Sequence, residues 1–136
     1  MLSAITYTYQ NQHYEINFKN LNARIPLRLK SGEITLVPWG RRKSQPGKLP
    51  LGGTIHLDSI YTGQFNKLQP RPVKVILDSF MIYDFDNQPH WYDNTNSLGT
   101  VQGIVLRHEY EQRGYIVVIQ PDIEFAYHSM WPRYIF

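Results

Sequence analysis

Apolar and polar residues alternate with a period of two over most of the chain, which is the pattern of strands that bury one face. Residues 4–10 alternate small or apolar residues with Thr and Tyr, and the alternation resumes over residues 13–18 after the turn-like pair Asn11-Gln12. Two alternating stretches joined by so short a turn predict a β-hairpin.

A second and clearer hairpin is predicted over residues 24–38. Its first strand, residues 24–30, places aliphatic residues between cations, and its second, residues 33–38, resumes the alternation with Ile34 and Leu36. The Ser31-Gly32 pair between them is a two-residue turn signal.

The rest of the chain contains short predicted elements and one long loop. Six Gly or Pro residues interrupt residues 40–53, which therefore predict a loop without regular structure. Loops of this length inside a compact domain are usually functional or disordered. The other predicted elements are strands at residues 54–58, 73–77, 80–85, 101–106 and 115–119, a turn at Arg113-Gly114, a short helix at residues 59–65 and helical turns at residues 121–126.

Many short strands with few helices predict a mainly β (α+β) fold, a compact β-sandwich or open barrel with one or two short helices. A chain of 136 residues is expected to form a single domain, residues 1–136, that is large enough to bury its own core.

Composition excludes several classes of chemistry and location. The chain has no cysteine, so it has no disulfides, thiolate metal sites or cysteine nucleophiles. No glycine-rich phosphate-binding motif occurs, so no nucleotide cofactor is predicted. Residues 1–4 lack the layout of a signal peptide, and no apolar run approaches membrane-spanning length. We therefore predict a soluble cytoplasmic protein without membrane contact.

Charge is distributed unevenly along the chain. Residues 1–74 hold eleven Lys or Arg and three Asp or Glu, a net charge of +8, whereas residues 75–136 hold three and eight, a net charge of −5. This asymmetry predicts one basic face, suited to a polyanion, and one acidic face. Mutual neutralisation of the two halves across the fold is the alternative.

The segment Pro38-Trp39-Gly40-Arg41-Arg42-Lys43 is the strongest candidate for a binding site. Three consecutive cations follow a Trp, and a site that grips phosphates while stacking a flat ring needs both residue types. Nucleic acid is therefore the first partner to consider. The alternative is a basic turn whose Trp is packed in the core.

The five histidines are scattered and lack metal-ligand spacing, so no metal site is predicted. His128 differs from the others because it lies among large residues close to the C-terminus, where an imidazole could exchange protons. No serine-hydrolase G-x-S-x-G elbow accompanies it.

Several segments, read in order, resemble the SOS response-associated peptidase (SRAP) family. Residues 25–28 with residues 32–40 are similar to its paired strands ending in Trp-Gly, and residues 88–92 are similar to its Gln-Pro-Tyr-Phe. The other similar segments are residues 54–59, 71–83, 102–105 and 117–135, which take in His128 on the family's His and Pro132 on its Pro. Proteins of this family bind single-stranded DNA and form a covalent bond to abasic sites. The resemblance therefore implies an SRAP-like domain that binds single-stranded DNA.

The family's active-site residues are mostly absent. By the resemblance, its N-terminal catalytic Cys falls on Leu2 and its catalytic Glu on Ile82. Its Asn falls on Thr54 and its DNA-contacting Arg on His56, and His128 alone retains the family residue. The cyclised crosslink needs a thiol, so the resemblance implies a divergent, non-catalytic member, from a phage or mobile element.

Three functional hypotheses follow. The first is a non-enzymatic single-stranded DNA-binding protein with Trp39, Arg41, Arg42, Lys43 and His56 in its groove. The second is an interaction module whose basic face docks an acidic protein. The third keeps a residual abasic-site lyase activity through His128.

Overall fold

The computed structural model describes residues 1–94, 99–120 and 130–135. Almost all regular structure in these residues is β. The strands are β1 Leu2–Tyr9, β2 Gln12–Asn17, β3 Arg24–Arg28, β4 Ile34–Pro38, β5 Thr54–His56, β6 Arg71–Val75, β7 Ser79–Tyr83, β8 Pro89–Asp93, β9 Thr100–His108, β10 Glu111–Ile119, β11 Trp131–Pro132 and β12 Tyr134–Ile135. One α-helix, α1 Leu57–Tyr61, and a 3-10 turn, Asn66–Leu68, complete the described elements.

The strands form two open sheets, so the predicted mainly β fold is confirmed. The smaller sheet has the order β2-β1-β7-β8. The larger has the order β11-β10-β9-β6-β3-β4, with β5 paired to β10 and β12 paired to β9. Side chains from both sheets meet in one apolar core, where Ile5 and Phe80 of the small sheet join Ile25, Val105 and Ile116 of the large one.

A second apolar cluster lies on the other face of the large sheet. Ile104, Leu106, Tyr115 and Val117 alternate with the core residues of β9 and β10 and are fully buried. Partly buried side chains from α1 and the 3-10 turn cover them, among them Ile60 and Leu68. The central strands β9 and β10 are therefore apolar on both faces, as expected for strands covered on both sides.

Both predicted hairpins are present. The first turns at Gln10 and Asn11, both at positive φ, as in the turns that match the twist of a hairpin. The second pairs β3 with β4, from Arg24 opposite Pro38 to Arg28 opposite Ile34.

The predicted turn at Arg113-Gly114 is wrong, because both residues lie inside β10. The chain turns instead at Glu109 and Tyr110, between the paired residues His108 and Glu111. Gly114 is needed for close packing, since a Cβ there would lie 2.8 Å from the Val37 side chain. The helical turns predicted at residues 121–126 lie outside the described residues.

No helix among the described residues is long and apolar enough to cross a membrane.

Candidate nucleic-acid interface

Trp39 is completely buried, which corrects the prediction that its ring stacks a base. Its exposed fraction is 0%, and its indole N–H donates to the Gly53 carbonyl at 3.0 Å. Phe18 packs edge-to-face against it, with ring centroids 5.3 Å apart. Trp39 follows β4 directly, so the strand carries the ring into the core between the two sheets. No face of the ring is open to a ligand.

Arg41 and Arg42 are also occupied, which corrects the expectation that both point into a nucleic-acid groove. The Arg41 guanidinium donates to the Leu49 and Gln45 carbonyls at 2.6 and 2.8 Å. The Arg42 guanidinium lies 3.9 Å from the Phe18 ring centroid. It also donates to three backbone carbonyls, those of Phe18, Trp39 and Asn20 at 2.6, 2.6 and 2.9 Å.

The two guanidiniums donate to backbone carbonyls that are not paired in a β-ladder. They therefore satisfy hydrogen-bond acceptors that would otherwise need water. Burial, and after it the nearby Arg113 charge, hold the pKa of the Arg42 guanidinium below its ordinary value. The two arginines therefore stabilise the loop that follows β4, and a phosphate would have to compete with those carbonyls.

The other predicted site residues are Lys43, His56 and His128. Lys43 is exposed in the loop after β4. His56 is the N-cap of α1, where its Nδ1 accepts from the Asp58 backbone N–H at 3.1 Å. His128 lies outside the described residues, so abasic-site chemistry through it stays a prediction.

The positions that the resemblance assigns to the catalytic Cys and Glu are brought together. Leu2 and Ile82 are Cα partners in the β1–β7 ladder, and their exposed fractions are 2% and 0%. Two buried aliphatic side chains cannot move a proton or attack a carbonyl carbon.

The Glu111 carboxylate of β10 is one of the groups that hold the long loop over residues 40–53 to this strand. Glu111 accepts from the backbone N–H groups of Lys48 and Leu49 at 3.1 and 3.2 Å and from Arg113 Nε at 3.0 Å. Burial acts to raise the pKa of Glu111, but the hydrogen bonds from Arg113, Lys48 and Leu49 outweigh it, so this pKa is below its ordinary value.

Replacing Glu111 with Gln is expected to lower the free energy of unfolding at pH 7 by about 1–3 kcal/mol, because charge-assisted hydrogen bonds are lost. A lowered folded-state pKa stabilises the protein above the unfolded-state pKa, and this contribution is lost as the pH falls through the folded-state value. The difference between wild type and variant should therefore shrink toward pH 3 in urea unfolding. Glu33→Gln, an exposed carboxylate, is the control and should change stability little at either pH.

A different set of cations lies where β3 and β6 separate. These strands pair over only two residue positions, Leu27 with Val75 and Arg28 with Lys74. Leu27 and Val75 point into the core, so Arg28 and Lys74 point together to the outer face of the large sheet. Pro72, which has no backbone N–H to donate to a ladder, lies on β6 beyond the last pair.

The space between the separating strands forms a groove. Two overlapping hollows of about 390 and 400 Å³ fill it, and a third of about 230 Å³ continues it past the paired cations. We call it the forked groove; its cations are Arg28, Lys30, Arg71 and Lys74. Its apolar floor consists of Leu29, Pro72, Val73 and Ile135.

The forked groove is strongly positive. All four of its cations are exposed, and no Asp or Glu is among the described residues that line the three hollows. The ion pairs found in the described parts of the chain involve none of the four. Like charges directly opposite each other on neighbouring strands destabilise a sheet, so the Arg28–Lys74 pair costs folding free energy unless an anion neutralises it.

Sequence reasoning missed this groove because it weighted consecutive cations. Arg28 and Lys30 were visible as the polar members of an alternating strand, and Arg71 and Lys74 flank a Pro-Val dipeptide. Nothing local indicated that these two stretches, more than forty residues apart, lie side by side.

No family model matches the chain, and no curated protein matches it. Among residues 1–94, 99–120 and 130–135, no group of three or more His, Asp or Glu side chains could hold a metal ion.

Proposed function

We propose that this protein binds single-stranded DNA through the forked groove, without catalysis, in the cytoplasm. The observation that carries the proposal is the Arg28–Lys74 pair, two cations directly opposite each other that form no ion pair with the described residues, in a groove whose described lining has no carboxylate. Single-stranded DNA is the partner that the SRAP resemblance implies. Its main contacts are proposed on β3 and β6 instead of residues 38–43.

Phosphates are the ligands that best satisfy this charge arrangement. Arg28 and Lys74 lie on adjacent strands, about 5 Å apart, and Lys30 lies in the turn that follows β3. A chain of phosphates along the groove would contact several cations at once and release bound counterions, which is the main source of affinity for polyanions.

The single-stranded form is favoured by the shape of the surface. The one α-helix of the described residues has five residues, too short to act as a recognition helix in a major groove. A sheet surface with apolar groups between cations suits unstacked bases, because their faces pack on apolar side chains while phosphates meet the charges. Pro72 and Ile135 are the exposed apolar side chains of the floor. Lys43 remains a proposed additional phosphate contact outside the groove.

The double variant Arg28→Ala/Lys74→Ala is expected to lose most of the affinity for a labelled single-stranded oligonucleotide. We expect about ten-fold weaker binding at 50 mM salt and a salt slope lower by about 1.4, because each phosphate contact to a single strand contributes about 0.7. Fluorescence anisotropy at several salt concentrations measures both quantities.

The control variant Lys19→Ala/Lys48→Ala removes the same charge from exposed positions outside the groove and should change affinity by less than about two-fold. Both variants should unfold at or above the wild-type temperature, since exposed cations are removed. Equal losses in the two variants would show binding by net charge alone and would contradict the proposal. If the wild-type protein did not bind the oligonucleotide but bound an acidic peptide in the groove, the acidic-partner hypothesis would be favoured.

A further inference from the structure

A second groove lies on the outer face of the small sheet, on the other side of the sandwich from the forked groove. Its volume is about 620 Å³, and all four strands of the sheet contribute to it. We call it the Trp91 groove; it is lined by Thr6, Thr8, His13, Asp78, Ser79, Trp91, Tyr92 and Asp93. Four adjacent strands span about 14 Å, the length of an extended segment of four or five residues.

Trp91 is exposed, whereas the other two tryptophans are packed against other side chains. Its exposed fraction is 46%, whereas Trp39 is buried and Trp131 packs edge-to-face on Phe80 at 5.2 Å. Trp91 lies on β8, opposite Met81 of β7, and its ring is on the outer face of the small sheet. Asp93 follows two residues later on β8 and lies on the same face. An exposed indole beside carboxylates in a groove is an apolar surface that a flat, charged group can cover.

The charge of the Trp91 groove is opposite to that of the forked groove. Asp78 and Asp93 line it, and no Lys or Arg is among its described lining residues. The Asp78 carboxylate is oriented by the Thr8 hydroxyl, which donates to it at 2.7 Å and lies 2.9 Å from His13 Nδ1. The charge asymmetry of the sequence thus reappears as a basic groove and an acidic groove on opposite faces.

We propose that the Trp91 groove binds an arginine side chain of an extended basic segment from a partner protein. A guanidinium stacks its flat face on an indole ring and donates in a fixed fork to a carboxylate, and this combination matches a groove lined by Trp91, Asp78 and Asp93. Lysine carries the same charge but has neither the planar face nor the fork. The length of the groove across four strands fits a peptide segment better than a single amino acid.

The test is a titration of the 136-residue chain with a capped Gly/Ser peptide that carries two arginines, at low salt. The neutral, nearly isosteric citrulline peptide should bind at least ten-fold more weakly, and the lysine peptide should fall between them. Trp91→Ala should weaken binding of the arginine peptide at least five-fold, and Asp78→Asn should also weaken it, as measured by calorimetry. The change in tryptophan fluorescence on binding should disappear in Trp91→Phe.

Asp86→Asn, which removes an exposed carboxylate outside the groove, is the matched control and should bind like wild type. Arg28→Ala/Lys74→Ala should also bind the arginine peptide normally, so failure of DNA binding and failure of this proposal are separate results. Equal binding of the arginine and citrulline peptides, or unchanged binding by Trp91→Ala, would overturn the proposal. Concentration-dependent self-association that Asp78→Asn abolishes, without peptide binding, would also overturn it in favour of a second copy.

Discussion

Replacing Trp39 with alanine is expected to lower the free energy of unfolding by about 3–5 kcal/mol, the usual cost of truncating a fully buried aromatic side chain. The indole has no exposed surface, packs against Phe18 and donates to the Gly53 carbonyl. Its removal therefore loses apolar burial and a buried hydrogen bond and leaves a cavity between the sheets. Urea unfolding followed by circular dichroism measures the change.

Trp91→Ala is the matched control, because it removes the same side chain from a half-exposed position. We expect it to cost less than about 1 kcal/mol, since little apolar surface is lost from the core. If Trp39→Ala kept wild-type stability while oligonucleotide affinity fell, the ring would be a binding group, as the sequence first suggested. Similar losses of stability in both variants would contradict the difference in burial.

Replacing Arg42 with alanine is expected to cost about 2–4 kcal/mol, although the residue is only half-buried. Its guanidinium satisfies the carbonyls of Phe18, Trp39 and Asn20 and covers the Phe18 ring. A hydrogen bond from a charged donor contributes about 1.5–3 kcal/mol, and the expected total is smaller than three such bonds because water can enter the half-buried site and hydrate the freed carbonyls. Arg42→Lys should recover only part of the stability, because one ammonium cannot reach three carbonyls in the geometry of a fork.

Lys43→Ala is the control variant for Arg42→Ala. Lys43 is exposed and adjacent in sequence, and its removal should change stability by less than about 0.5 kcal/mol. Thermal and urea unfolding of the three variants measure the series. Arg42→Ala with wild-type stability would show that the guanidinium contacts contribute nothing and would return Arg42 to the candidate binding residues.

Both hairpins and the mainly β class could be predicted because alternation and turn residues are properties of neighbouring positions. The turn predicted at Arg113-Gly114 was wrong, because a glycine is required both at turns and wherever another chain segment packs closely on the backbone. Gly114 is of the second kind, and the Val37 side chain that approaches it is far away in sequence.

The exposed cations that line the forked groove are not those of the predicted candidate site. Lys and Arg near aromatic rings indicated a polyanion surface, which stays a prediction, and the structure places exposed cations together in the forked groove. Consecutive cations alone do not indicate whether their charges face solvent, and Arg41 and Arg42 face backbone carbonyls. The groove itself depends on β3 pairing with β6, a contact between segments that no local pattern connects.

The sequence by itself determined the period-two strands, the absence of thiol chemistry, the aliphatic side chains at Leu2 and Ile82, and the uneven charge, since each can be read from residue identity or close spacing. Only the tertiary structure decided that Trp39 is core and Trp91 is exposed, and that the like charges Arg28 and Lys74 stand opposite each other. The physical reason is that burial, hydrogen-bond partners and charge clusters depend on which distant segments pack together, and the long-range pairing of the two sheets sets that packing.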